Sequence, residues 1–226
     1  MLSKNNNQTS KTQSIYCYPG SDVLINNLDL TNQEELDVAE RRITTLILAT
    51  MELKDIPSPN KLFTIDYYLG IHKELFEYIY PFAGQTRNKS IAKGRTFFCT
   101  PENIYYNLKN TLYIMGKDMT KLKTRDDITT FLADGYGELN IIHPFREGNG
   151  RVAREFLREC VECMNKYLGF NYELDFSGVT EYSSKRFMHA SQVSALTADN
   201  QELKEFFSDI LKEKQQTKTN ESKKGR

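Results

Sequence analysis

Apolar residues recur at three- and four-residue intervals along most of the chain, the spacing of helices that bury one face. The first stripe runs through Leu36, Ala39, Ile43, Leu46, Ile47 and Leu53. Thr31-Asn32-Gln33-Glu34 precedes it in the form of a capping box with Thr31 as the cap, and Pro57 and Pro59 close it. A second stripe, Ile65, Tyr68, Leu69, Leu75, Phe76 and Ile79, also carries His72, which reads as a satisfied core histidine rather than a ligand. Pro81, Gly84 and Gly94 then interrupt helical periodicity. The stretch from Lys89 to Cys99 (KSIAKGRTFFC) fits a short hairpin turning near Lys93-Gly94. Thr100-Pro101-Glu102 starts another helix, with Thr as cap and Pro in the first turn, and Ile104, Leu108, Leu112 and Met115 continue it. A further helix begins near Thr124 to Asp127 and carries Ile128, Phe131, Leu132, Leu139 and Ile142. Segments around 180–195 and 200–213 are helical too, the last with Leu203, Phe206, Phe207 and Ile210 as its stripe. The pattern predicts an all-α bundle with one small β-hairpin.

Composition changes this picture mainly at the ends. Residues 1–15 and 212–226 are rich in polar and charged residues and lack the apolar content that would order them, so they read as disordered tails around one domain spanning 16–211. Thirty basic and thirty acidic side chains leave no net charge, which removes any electrostatic case for nucleic acid or a membrane surface as partner. The N-terminus has no apolar core of a signal peptide and no run is long enough to span a bilayer, so the expected location is the cytoplasm. Four cysteines do not make a disulfide framework in 226 residues. Cys160 and Cys163 form a C-x-x-C without a second close pair, and read as small apolar residues on a buried helix face.

One segment stands apart, Asn140-Ile-Ile-His-Pro-Phe-Arg-Glu-Gly-Asn-Gly-Arg-Val-Ala-Arg154. A helix arrives at His143 and is stopped by Pro144, and a new one starts near Asn149 with Val152, Ala153, Phe156, Leu157, Cys160, Val161 and Met164 as its buried face. Gly148 and Gly150 leave the backbone open, and the free N–H groups of the new helix point into the bend, which makes an anion site. Arg151 and Arg154 lean over the same anion from one polar face, and their guanidinium groups favour phosphate. Asn149 can donate its amide to a phosphate oxygen. Glu147 places a single carboxylate beside the site, which suits Mg²⁺ bound together with substrate phosphates. His143, with an imidazole that titrates near neutrality, can accept a proton. A base beside a polyphosphate and a metal implies attack by a hydroxyl on phosphorus.

At these residues the chain resembles the Fic-domain family, whose signature His-Pro-Phe-x-(Asp/Glu)-Gly-Asn-Gly-Arg is matched at every fixed position by His143 through Arg151, with Arg154 as the second arginine. Tyr18-Pro19-Gly20, the helix after Thr31, Pro81-Phe-Ala-Gly-Gln85 and Thr100-Pro-Glu102 are similar to the family as well. The resemblance implies a Fic-type helical bundle that transfers AMP from ATP to a Tyr, Thr or Ser hydroxyl of a target protein and releases pyrophosphate. It implies His143 as general base, Phe145 as the anchor of the loop in the core, and Glu147 as the Mg²⁺ ligand. Gly148, Asn149 and Gly150 would form the anion hole, with Asn149 at the α-phosphate, and Arg151 and Arg154 would hold the outer phosphates. The hairpin corresponds to the family's flap, so Lys89, Ser90, Ile91, Ala92, Lys93, Gly94, Arg95, Thr96 and Phe97 would register the target segment by strand addition. A related kinase branch has Lys in place of Gly150, so Gly150 favours AMP transfer.

Many members are restrained by a helix of pattern (Ser/Thr)-x-x-x-Glu-(Gly/Asn), whose Glu pairs with the second arginine. Thr31 to Glu35 match its first five positions, and Leu36 departs from it. Two sources of restraint stay open: Glu35 within the chain, or a separate small antitoxin-like protein. A homo-oligomer is compatible with the sequence. The same pocket also admits two rival readings, a hydrolase that removes AMP from modified proteins and a nucleotide-binding interaction module without catalysis.

Overall fold

The computed structural model describes residues 15–93, 96–176 and 180–215. Most of the tails expected from composition, and Gly94 and Arg95 at the hairpin turn, lie outside them. The described residues form eight helices: α1 (Gln33–Met51), α2 (Pro59–Leu62), α3 (Ile65–Phe76), α4 (Pro101–Met119), α5 (Arg125–Ile142), α6 (Asn149–Leu168), α7 (Glu181–Thr197) and α8 (Gln201–Ile210). Strands β1 (Ala92–Lys93) and β2 (Thr96–Phe97) pair antiparallel with Ala92 opposite Phe97 and Lys93 opposite Thr96, the hairpin expected between α3 and α4.

The helix starts show how local chemistry sets the frame. Thr124 caps α5 through its hydroxyl, and Asp127 returns the bond to the Thr124 backbone, a complete capping box. At α1 the cap is Asn32, one residue later than the pattern suggested. Its carboxamide oxygen accepts the N–H groups of Glu34 and Glu35, and Asn outranks Thr at this position. At α4, Thr100 occupies the cap position with Pro101 in the first turn. Its hydroxyl makes no capping bond and accepts instead from Asn103.

The α1 stripe is narrower than its spacing implied. Leu46 is 70% exposed, and Leu53 lies past the helix end at 87% exposure, while Leu36 and Met51 are buried. The C-terminal end differs as well. The last helix stops at Ile210, and residues 211–213 form strand β4 (Leu211–Glu213), which pairs antiparallel with β3 (Tyr172–Leu174). The described chain thus carries strand structure two residues past the 211/212 boundary suggested by composition.

The core centres on α5, which packs against α8, α4 and α6, with α3 packed on α6. Phe156, fully buried on α6, meets Tyr68 of α3 edge-to-face at 5.2 Å and Phe63 at 5.8 Å. Val152, Ala153, Leu157, Cys160, Val161, Cys163 and Met164 complete the buried face of α6. Burial pushes the Cys160 thiol well above its ordinary value and that of Cys163 up to about 11, so both remain protonated, packed thiols. The bend between α5 and α6 is clamped by this core on both sides.

Candidate active site

Residue by residue, the bend is over-determined. His143 ends α5 in the left-handed region (φ 46°, ψ 61°), and Pro144 cannot continue a helix. Phe145 turns inward, fully buried, with its ring 3.8 Å from that of His72 and 5.9 Å from that of Tyr68. Gly148 has φ 82°, and a Cβ there would fall 2.4 Å from the Phe76 ring, so no other residue fits without displacing α3. Asn149 clamps the loop onto itself: its Oδ1 accepts the Phe145 N–H and its Nδ2 donates to the Phe145 carbonyl, each at 2.8 Å.

His72 is a core histidine with a second duty. The Gly84 N–H donates to its Nδ1 at 2.8 Å, so the proton sits on Nε2, which donates to the Glu147 carbonyl at 3.1 Å. Burial lowers its pKa to about 4, so the ring stays neutral and holds one tautomer.

His143 has the complementary arrangement. Its Nδ1 faces the Asn140 carbonyl at 3.2 Å, which can only accept, so Nδ1 carries the hydrogen and Nε2 keeps its lone pair. Phe98, at the end of the flap, stacks on the imidazole at 3.8 Å. Burial, reinforced by the nearby charges of Arg87 and Lys93, lowers the His143 pKa to about 4. The near-neutral titration expected from the sequence is thus replaced by a ring that is already deprotonated at physiological pH.

Beside this ring lies an electropositive pocket. Asn149 and Gly150 are the first two residues of α6, and their N–H groups have no intrahelical acceptor. Arg154 folds back across the same turn, with its Nη1 3.2 Å from where a Gly150 Cβ would stand. Its side chain is half-buried and has no acidic partner among the described residues; desolvation lowers its pKa, and Arg151 adds repulsion. A desolvated cation at an open helix N-terminus is an incomplete site that an anion completes.

Arg151 is held differently. Its Nη2 donates to Glu40 Oε1 of α1 at 2.5 Å and lies 3.6 Å from Glu147 Oε1, while its guanidinium covers the Phe76 ring at 4.8 Å. The Tyr80 hydroxyl donates to the other Glu40 oxygen. Glu147 Oε1 also accepts the Gly148 N–H at 2.8 Å, and its side chain is 44% exposed. One outward carboxylate beside an anion pocket fits a magnesium ion that arrives with a nucleotide. Among the described residues, no group of three or more His, Cys, Asp or Glu could hold a metal without one.

The structure therefore brings together His143, Phe145, Glu147, Gly148, Asn149, Gly150, Arg151 and Arg154. The Asn149 amide also has a structural part: it is engaged with the Phe145 backbone through Oδ1 and one Nδ2 hydrogen, and its main-chain N–H adds a donor at the helix start. Of the flap, Lys89 to Lys93 and Thr96 and Phe97 are described, with Phe97 81% exposed. Thr31 and Glu35 are exposed at the start of α1, and Glu40 is the α1 carboxylate that reaches the loop. Glu40, Arg87, the stacking of Phe98 on the imidazole and the second role of His72 were not foreseen. Each contact joins distant segments, and only the hairpin around Phe98 and the apolar setting of His72 carried a signal in sequence.

The Fic/DOC family model matches residues 62–160, from the end of α2 into α6, with the flap and the bend inside it. The chain is 28% identical over 205 residues to a probable protein adenylyltransferase Fic of Escherichia coli, covering 88% of this chain and 92% of that one. Among solved structures, a Bartonella tribocorum effector, BepC, with bound AMPPNP superposes with a TM-score of 0.77 at 22% identity, covering 88% and 97% of the two chains, a likeness of fold. The Fic domain of an effector from Bartonella sp. AR 15-3 gives a TM-score of 0.75 at 26% identity, over 87% and 90%. No described helix is long and apolar enough to cross a membrane. A probable protein adenylyltransferase of Sinorhizobium fredii, y4lH, shares 33% of its residues over 177 positions, 77% of this chain and 84% of that one, and with that match the chain belongs to the Fic/DOC family.

Proposed function

We propose that this protein is an adenylyltransferase that moves AMP from ATP to a Tyr, Thr or Ser hydroxyl of another protein. The observation that carries the reading is the juxtaposition of a half-buried Arg154 without an acidic partner among the described residues, at the N-terminus of α6, with a neutral His143 whose Nε2 is free. The pocket holds the phosphates, and the imidazole stands at the start of the bend that forms it. The names of the relatives agree with this chemistry.

In the reaction, the target hydroxyl gives its proton to His143 Nε2 as its oxygen attacks the α-phosphorus. The bond from that phosphorus to the bridging oxygen breaks, and pyrophosphate leaves. The N–H groups at the start of α6 face the charge that develops on the phosphoryl oxygens, and Arg154 and Arg151 hold the outer phosphates. Glu147 would hold Mg²⁺ against the phosphates, where the ion supplies charge neutralisation. The exposed edge of the β1–β2 hairpin supports docking of the target by strand addition. Gly150 is open enough for Arg154 to lie across it, which favours AMP transfer over the kinase arrangement.

Restraint by a carboxylate on an arginine is better served within this chain by Glu40 on Arg151 than by Glu35 on Arg154; a separate antitoxin-like inhibitor remains the alternative source. The free, mostly buried cysteines support a reducing, cytoplasmic setting. The test is incubation of the protein and Mg²⁺ with cell-extract proteins and ATP labelled at either the α- or the γ-phosphate. Label from the α-position alone should reach protein. Transfer of γ-label would replace the reading with a kinase, release of label from pre-modified protein with a hydrolase, and binding without transfer with an interaction module.

A further inference from the structure

Arg87 lies on the link between α3 and the flap and is only 2% exposed. Its Nε donates to the His143 carbonyl at 2.8 Å, and its Nη1 to the Lys89 carbonyl at 2.7 Å. Its Nη2 donates to the carbonyls of Cys99 and Ile142. Its main-chain N–H donates to the Pro144 carbonyl at 2.8 Å. Lys89 and Cys99 are the two ends of the flap, whereas Ile142, His143 and Pro144 are consecutive residues around the imidazole. One guanidinium thus closes the neck of the flap and satisfies the orphan carbonyls that end α5. The neck has a second tie, from the Cys99 N–H to the Ile141 carbonyl at 3.0 Å.

A planar fork with five donors can serve four carbonyls at once, which an ammonium on a flexible stem cannot. No carboxylate pairs with Arg87 among the described residues, and burial disfavours its charge, so the cation is held at a cost. What that cost secures is a fixed relation between two parts that must meet, the flap with Phe98 on the imidazole face and the left-handed residue His143. We infer that Arg87 is a positioning residue for the transfer reaction, locking flap and base into one rigid unit so that a hydroxyl docked on the flap meets His143 Nε2. This rests on the reading of His143 as the base. The same charge, close to the ring, also disfavours protonation of His143.

The experiment compares wild type, Arg87→Lys and Arg87→Gln by transfer of α-labelled AMP to cell-extract proteins across pH, with ATP affinity and melting temperature measured alongside. Arg87 touches no phosphate-binding group, so both variants should keep ATP affinity within about twofold. Misplacement of reacting groups by about 1 Å costs on the order of a hundredfold, so kcat should fall by roughly ten- to a hundredfold in both. The acid limb of the rate should stay in place in Arg87→Lys, which keeps the charge, and move to higher pH in Arg87→Gln, which removes it. A folded Arg87→Lys with unchanged kcat overturns the proposal, and so does an Arg87→Gln limb that does not move. Activity lost only in proportion to folded protein assigns Arg87 to the fold alone and overturns it equally. The transferase reading is judged separately, by whether wild type transfers α-label at all.

Discussion

The bend between α5 and α6 and the flap between α3 and α4 meet at His143, yet they are held in opposite ways. In the bend, the backbone is tied internally: Asn149 engages Phe145 twice, His72 holds the Glu147 carbonyl, and Gly148 sits against Phe76 with no room for a methyl group. The flap has two residues in each strand, a single register, and exposed side chains at Ala92, Lys93 and Phe97. The difference divides the labour. Positions that must match a transition state are fixed by core packing, and positions that must accept a polypeptide keep backbone edges open.

The sharpest way to break this division is to remove the base while leaving its frame. His143→Ala should lower transfer by about a hundred- to ten-thousandfold, with ATP affinity retained, as measured by label transfer and calorimetry. Rate retained in that variant would remove imidazole from the mechanism. The pH profile carries the same information with its sign fixed. The base acts when neutral, so kcat/KM for ATP should fall as pH drops through about 4, where free His143 titrates, and stay flat from 6 to 8. Bound phosphates favour the imidazolium, so the limb in kcat should lie at higher pH than the limb in kcat/KM. A limb near 6.5 in kcat/KM would contradict the half-buried, cation-flanked ring described above.

Next in size is the glycine that lets the bend close. Gly148→Ala combines a left-handed backbone with a contact 2.4 Å from the Phe76 ring. Strain and overpacking together should cost roughly 2–4 kcal/mol, and the shifted loop should lower transfer by on the order of a hundredfold. Thermal unfolding and label transfer measure the two effects. Arg154→Ala should act on affinity instead, weakening ATP binding by roughly ten- to a hundredfold, the worth of one or two charge-assisted hydrogen bonds. Unchanged affinity would show that the Arg154 guanidinium serves the fold alone. Glu40→Gln should act in the opposite direction. It frees Arg151 for phosphate while leaving a hydrogen-bond acceptor for the Tyr80 hydroxyl, so titration should show ATP bound about two- to fivefold more tightly.

The bend was legible in sequence because its chemistry is contiguous, with nine consecutive residues holding base, carboxylate, glycines and arginine between two strongly periodic helices. Its supports were not, because they come from far away: Arg87 lies 56 residues before His143, and Glu40 lies 111 before Arg151. A single Arg or Glu in a polar stretch has no local pattern that marks it. Asn149 illustrates a second limit. Its place in the motif was visible, but whether its amide faces a ligand or its own loop depends on the position of the Phe145 backbone. The β3–β4 pair escaped notice for a third reason. Three residues per strand are too few for alternation to register, and the apolar residue Leu211 continues the stripe of α8. His72 was read correctly as a core residue from its apolar neighbours, whereas its grip on Glu147 needed the fold.

The smallest expected effect tests the flap side of the comparison. Phe97 is 81% exposed, so Phe97→Ala should change stability by no more than about 0.5 kcal/mol and leave ATP affinity unaltered. If the flap docks targets through its edge and the exposed ring adds apolar contact, the loss belongs to ground-state and transition-state binding alike. KM for a protein target should then rise by about two- to fivefold with kcat unchanged, the signature of uniform binding. A fall in kcat at constant KM would mean that this ring contributes only at the transition state. Phe97 would then act with its neighbour Phe98 on the imidazole, and the boundary between the rigid chemical centre and the open docking edge would lie one residue further along the hairpin.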